Sequence, residues 1–136
     1  MFDTNVILDV LLKRPNLFEY SMQTLKMLNT QQYLGYISAN TITDIYYIVK
    51  REKHSKLIAL KAIEQLLQIF KIAAITETEL IVTVEQQAKD FEDSVLAACA
   101  VSYNCDFIIT NNIKDFEDFN INVITPKKFL EKQKES

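Results

Sequence analysis

Short apolar runs at residues 33–37, 71–75, 107–110 and 121–124 alternate with longer stretches whose apolar side chains recur at helical spacing. This alternation restricts the chain to an α/β fold, because parallel strands must be joined by crossovers long enough to hold a helix. Helices are expected at residues 6–12, 18–28, 39–51, 56–70, 76–84 and 94–103, with a last one opening at Pro126, a residue suited to a first helical position. Ser38 and Ser55 stand as N-caps, and Thr76-Glu77-Thr78-Glu79 has the spacing of a capping box. In the 39–51 helix, Ile42, Ile45, Tyr46 and Val49 form one stripe, which Tyr47 and Ile48 widen, so deep burial is expected there. At 136 residues, with no repeat, linker or low-complexity tract, the chain reads as one domain over residues 1–136.

Several kinds of chemistry are excluded by scarce residue types. Gly35 is the only glycine, so neither a GxGxxG turn nor a phosphate-cradling P-loop can be built. His54 is the only histidine and lies in the polar run Lys50-Arg51-Glu52-Lys53-His54-Ser55-Lys56, which leaves no histidine triad or histidine-rich zinc site. Cys99 and Cys105 lack zinc-site or CxxC spacing, and no signal peptide is read, so reduced thiols in a cytoplasmic protein are expected. Every apolar run is interrupted by Lys, Glu or Gln well short of a membrane span. With a formal net charge of −3, nucleic acid would have to be held by a local patch or through metal ions. Chemistry falls to the carboxylates.

Four acids stand at informative places. Asp3, in Asp3-Thr4-Asn5, follows an apolar start and precedes a helix, where ligands of α/β proteins bind. A local turn explains that triplet equally well. Asp44 lies opposite the stripe of Ile42, Ile45 and Val49, flanked by Thr41, Tyr47 and Ile48. It is either a solvated position or a carboxylate that needs a cation or hydrogen bonds. Asp93 falls in a first helical turn, where an acid favours the macrodipole, and Leu96, Ala97 and Ala100 continue its face toward the sheet. Asp90 and Glu92 need no role beyond that macrodipole. The stretch Thr110-Asn111-Asn112-Ile113-Lys114-Asp115 follows the fourth apolar run, so Asn112 or Asp115 could reach the same cleft, or simply cap a short helix.

Converging carboxylates repel: two charges ~5 Å apart at an effective dielectric of about 20 cost roughly 3 kcal/mol. Either some protonate or a divalent cation joins them. An all-oxygen site indicates Mg²⁺ or Mn²⁺, and the fitting reaction is phosphodiester hydrolysis. A phosphatase with Asp3 as covalent nucleophile fits less well, since the second Asp such enzymes need is replaced by Asn5. Lys50, Arg51, Lys53, His54 and Lys56, with Lys13 and Arg14 as a second group, offer an RNA-backbone surface or merely solvated helix ends.

In this order, Asp3-Thr4-Asn5, the Ser38–Tyr46 stretch with Asp44, Asp93-Ser94-Val95-Leu96-Ala97-Ala98-Cys99-Ala100 and Ile109-Thr110-Asn111-Asn112-Ile113-Lys114-Asp115-Phe116 resemble the PIN domain family. The ending Val123-Ile124-Thr125-Pro126-Lys127-Lys128-Phe129-Leu130 is similar to the last strand and helix of its small prokaryotic members, VapC-type toxins among them. The resemblance implies a three-layer α/β/α sandwich with a mostly parallel five-stranded sheet, and a metal-dependent endoribonuclease. It places metal ligands at Asp3, Asp93 and Asp44, a fourth acid at Asp115, and orienting groups at Asn5, Thr110 and Asn112. It also implies a homodimer and a small antitoxin partner. Three departures stand out: Asp44 replaces the usual Glu, Asn112 replaces a frequent Asp, and only Met1 and Phe2 precede Asp3. The first two motivate an alternative, a PIN-like module that binds RNA or protein without cleaving it. The third predicts a stunted central strand.

Overall fold

A computed structural model describes residues 1–30 and 32–135. Seven α-helices are formed among them: α1 Thr4–Leu11, α2 Phe18–Lys26, α3 Ala39–Lys53, α4 Lys56–Ile69, α5 Glu77–Gln86, α6 Phe91–Ser102 and α7 Pro126–Glu135. The strands are short: β1 Tyr36–Ser38, β2 Lys71–Ala73, β3 Ile108–Ile109 and β4 Val123–Ile124. Every helix expected from the sequence forms, with ends shifted by a few residues. Ser38 and Ser55 cap α3 and α4 by accepting from the backbone N–H groups of Thr41 and Ile58. Thr76 N–H donates to Glu79 Oε1 at 3.1 Å, the reach-back half of the capping box.

The expected five-stranded sheet is not what the strand pairing gives. Among the described residues the strands form two parallel pairs, β1 with β2 and β3 with β4. Residues 1–3 lie between the pairs and make a single parallel bridge, Phe2 to Ile109. Phe2 N–H donates to the Tyr36 carbonyl at 2.9 Å, Asp3 N–H to the Ile109 carbonyl at 2.9 Å, and Ile109 N–H to the Met1 carbonyl at 2.8 Å. The segment thus joins its neighbours through one bridge, without the paired length of a strand.

Side chains alternate across these strands with period two. Phe2, Ile37, Ile109 and Ile124 enter one core with Val6, Ile7, Leu25, Ile45, Val49, Leu66 and Phe129. Met1, Ala73 and Ile108 enter the other, with Val95, Leu96, Ala97, Ala100 and Phe116. Helices therefore cover both faces: α1, α2, α3, α4 and α7 on one, α6 on the other. Ala97 and Ala100, 3% and 0% exposed, let α6 lie close to the strands. The expected deep burial of α3 is corrected here. Thr41, Ile45 and Val49 are buried, but Tyr47 is 65% exposed, because α4 covers a single side of the helix.

Gly35 lies where the chain enters β1, and a Cβ there would stand 2.6 Å from Leu28 Cδ1 and 3.0 Å from Phe70 Cδ1. Leu28 can turn aside, but Phe70 is buried, and the Gly35 carbonyl is fixed by the Lys71 N–H at 2.9 Å. Gly35→Ala is expected to lower the free energy of unfolding by about 1–3 kcal/mol in urea titrations, the usual cost of overpacking.

Candidate active site

Parallel strands place all their carboxyl ends on one edge, and side chains that follow those ends converge. Asp3 follows residues 1–2, Ser38 ends β1 and Thr110 follows β3. Here they line or support a cleft of about 440 Å³ whose walls include Asp3, Asn5, Thr41, Asp44, Glu92, Asp93, Asn112 and Asp115. All four acids expected from the sequence reach it.

Asp3 is both turn residue and site residue. Extended at φ −75° and ψ 151°, it caps α1, with Oδ1 accepting from Thr4 N–H at 2.8 Å. Its Oδ2 accepts from Asn5 Nδ2 at 3.0 Å and from Thr110 Oγ1 at 2.8 Å. Thr110 is fully buried, and its hydroxyl oxygen also accepts from the Asn112 backbone N–H at 3.1 Å. Asn5 Oδ1 accepts from Asn111 N–H at 3.2 Å. Asn5 and Thr110 thus tie helix α1 to the loop after β3 with Asp3 at the junction. Burial pushes the Asp3 carboxyl above its usual range and the Asp115 charge adds to this, while the bonds from Thr110, Thr4 and Asn5 oppose it.

Asp93 is in the first turn of α6, its N–H bonded to the capping carboxylate of Asp90 at 2.9 Å. Burial, followed by the charges of Asp90, Asp115, Asp3 and Glu92, pushes its pKa to about 7. Asp44 faces the cleft from α3 and is raised by burial. Asp115 stands exposed at the rim in the 3₁₀ turn Ile113–Phe116. Asn112 is also exposed, and its N–H, not its side chain, makes the bond that joins it to the Asp3 network.

Spacing alone gives Glu92 only a place near a helix start. It lines the cleft, and its carboxyl is raised chiefly by the charge of Asp44. Neighbouring a stronger candidate hid it, since period and spacing do not say which of two adjacent acids faces inward. Among the basic residues, Arg14 lines the cleft. Lys13 is exposed beside it on the outer surface. Lys50 and Arg51 do not line it: they lie six and seven residues beyond Asp44, roughly 10 Å along α3. Arg51 pairs there with Glu52 at 3.4 Å, and Lys50 sits 6.0 Å from the Tyr46 ring.

Donors of this set are all hard oxygens. Among the described residues, no three His, Cys, Asp or Glu side chains are drawn together tightly enough to cage an ion directly. Mg²⁺ does not require such a cage, because it keeps several waters and binds through one or two carboxylates. Burial first, and then the neighbouring acids, disfavours the charged form of Asp93, and a divalent cation among these carboxylates would favour it. The residue types therefore fit Mg²⁺ or Mn²⁺.

Among the described residues, no helix is long and apolar enough to cross a membrane. The chain is 28% identical over 135 residues to a protein named Ribonuclease VapC1 from Aquifex aeolicus (strain VF5), covering 96% of this chain and 92% of that one. The fold is similar to that in a crystal structure of VapBC2 from Rickettsia felis bound to a DNA fragment from their promoter, with TM-score 0.73 and 19% identity over 92% of this chain and 96% of that chain. It is also similar to a chain of a toxin–antitoxin complex from Klebsiella pneumoniae, with TM-score 0.70 and 24% identity over 92% and 95%. A family model described as PIN domain matches residues 1–114, and the chain belongs to the PIN domain family.

Proposed function

We propose that the chain is a cytoplasmic endoribonuclease, dependent on Mg²⁺ or Mn²⁺, that acts as the toxin of a toxin–antitoxin pair. The observation that carries this reading is the carboxylate cleft at the strand ends, with Asp3 held by Thr4, Asn5 and Thr110. Likeness to the ribonuclease from Aquifex aeolicus favours RNA as substrate, and likeness to toxin–antitoxin structures favours a small antitoxin as partner. A homodimer is part of the same reading, as are a single domain over residues 1–136 and a fifth, central strand role for residues 1–3.

Asp3, Asp93 and Asp44 would hold the cation, which when bound supplies charge for the phosphate oxygens and lowers the pKa of water. Asp3 enters that role pre-oriented, since three hydrogen bonds fix both its oxygens. Asp44 and Asp115 tune the charge of the cleft, the latter from its rim. Thr110, Asn5 and Asn112 keep the loop after β3 in register with α1, which orients the ligand oxygens. Water is the nucleophile. Arg14, and at the periphery Lys13, Lys50 and Arg51, take RNA backbone phosphates. The shorter Asp44 and the neutral Asn112 favour a second reading, a module that binds without cleaving. Calorimetry with Mn²⁺ separates them, because an inert module takes up no ion in the cleft.

Cleavage of bacterial RNA is expected in Mg²⁺ or Mn²⁺ and is expected to stop in EDTA. Asp3→Asn and Asp93→Asn should each lower the rate by more than about 100-fold, beyond what losing an outer-shell partner produces. Metal-dependent cleavage that survives both substitutions would assign the activity elsewhere.

The Asp93 carboxyl predicts a pH dependence in metal-free protein. Its value is about 7 in the fold against an ordinary 3.8. Below about pH 4 it is protonated in both states and costs nothing. Between about pH 4 and 7 the unfolded chain gives up the proton first, so stability falls, and the penalty persists above that range. With EDTA present, Asp93→Asn should therefore unfold at higher temperature than the parent at about pH 8, with the difference closing near about pH 4. Adding Mg²⁺ at the higher pH should raise the parent more than the variant.

A further inference from the structure

One fully buried carboxylate has no place in the chemistry above. Asp9 lies in α1 and is 0% exposed. Its Oδ2 accepts from Ser21 Oγ at 2.9 Å and from Asn111 Nδ2 at 2.7 Å. Among the described residues nothing hydrogen-bonds its Oδ1, and the nearest cation is Arg14, whose Nη1 stands 3.7 Å away. A buried charge left without a partner is costly, so the side chain that compensates it is not free to leave.

The backbone reinforces the pairing. Helix α1 ends in a Schellman arrangement: Lys13 turns left-handed at φ 49°, Lys13 N–H donates to the Val10 carbonyl at 3.3 Å, and Arg14 N–H to the Asp9 carbonyl at 3.0 Å. Arg14 is thus attached to Asp9 through both main chain and side chain. It lines the cleft with Asp3, Asp44 and Asp93, and it is the one basic side chain among the described residues that does so. Its side chain is 39% exposed, which leaves guanidinium donors facing outward. An untethered guanidinium beside three carboxylates would fall among them as a counterion and oppose both a metal ion and a phosphate. Held by Asp9, it stays at the wall.

We infer that Asp9 is a positioning residue: it fixes Arg14 as the clamp for an RNA phosphate oxygen, while its other oxygen ties the Asn111 loop to α1. The substrate half of this inference rests on the ribonuclease reading; the tether does not. Asp9→Asn isolates it, because one amide oxygen can still accept from Ser21 and Asn111 while the NH₂ group cannot accept from Arg14.

The test uses a fluorescent pool of random-sequence single-stranded RNA with Mg²⁺. Asp9→Asn should raise the apparent KM about tenfold, as for loss of a charge-assisted contact, with much less change in kcat. Arg14→Ala should do the same, Arg14→Lys should recover part of the loss, and the double variant should be no worse than Arg14→Ala. An unchanged KM in Asp9→Asn, or losses that add in the double variant, overturns the inference. The tether is read separately by NMR. The sequence has two arginines, Arg14 and Arg51, so their guanidinium Nη–H signals, the group that faces Asp9 in Arg14, are assigned by one substitution. Slow solvent exchange of Arg14 relative to Arg51, lost in Asp9→Asn, is expected. Equal exchange in the parent protein overturns the tether, whereas a parent that cleaves no RNA but keeps the slow signal overturns only the ribonuclease reading.

Discussion

Three backbone hydrogen bonds hold residues 1–3 between β1 and β3, and the placement of the cleft depends on them. They join two separate pairs of parallel strands and bring Asp3 level with Ser38 and Thr110. Phe2 then anchors the segment from one face, against the Phe70 ring at 5.2 Å, while Met1 enters the core on the other. A segment of this length has little pairing of its own. Its position is secured by burial on both faces, with Met1 and Phe2 only 5% and 2% exposed.

Asp3 illustrates why turn and site were equally good readings of the triplet. One oxygen caps α1, which is the turn role, and the other is held by Asn5 and Thr110, which is the site role. A cap fixes the backbone at the strand end, and the fixed backbone aims the carboxylate. Around it the acids are kept apart by being mounted on different elements, α1, α3, α6 and the turn after β3. Burial first, and their mutual charge after it, raises the proton affinity, most at Asp93. A divalent cation would favour the charged forms again.

Two buried or inward-facing acids escaped the reading of the sequence. Asp9 interrupts the apolar run Val6-Ile7-Leu8 to Val10-Leu11-Leu12. A carboxylate among apolar neighbours needs a partner, and the run around Asp9 carries that signal as plainly as the surroundings of Asp44. Its partners are Ser21 and Asn111, far apart along the chain, so their roles could not be read locally. Glu92 was hidden because Asp93 beside it offered a better face. Lys50 and Arg51 show the opposite case: they cluster in sequence, yet they lie beyond Asp44 along α3 and outside the cleft lining.

Alternating apolar runs, caps and helical spacing determined by themselves the order of helices and strands, the parallel connection and the edge where the acids gather. These depend on local periodicity and on the one-handed logic of strand-to-helix crossovers. Tertiary structure alone decided how long the strands are, since pairing length is set by what the neighbour offers, and left residues 1–3 as a bridge between two pairs. It also decided which charged residues face the cleft, because facing depends on how each helix is rotated against its core. Arg14 and Glu92 reach the cleft, Lys50 and Arg51 lie beyond it along α3, and Asp9 finds its partners only when distant segments meet.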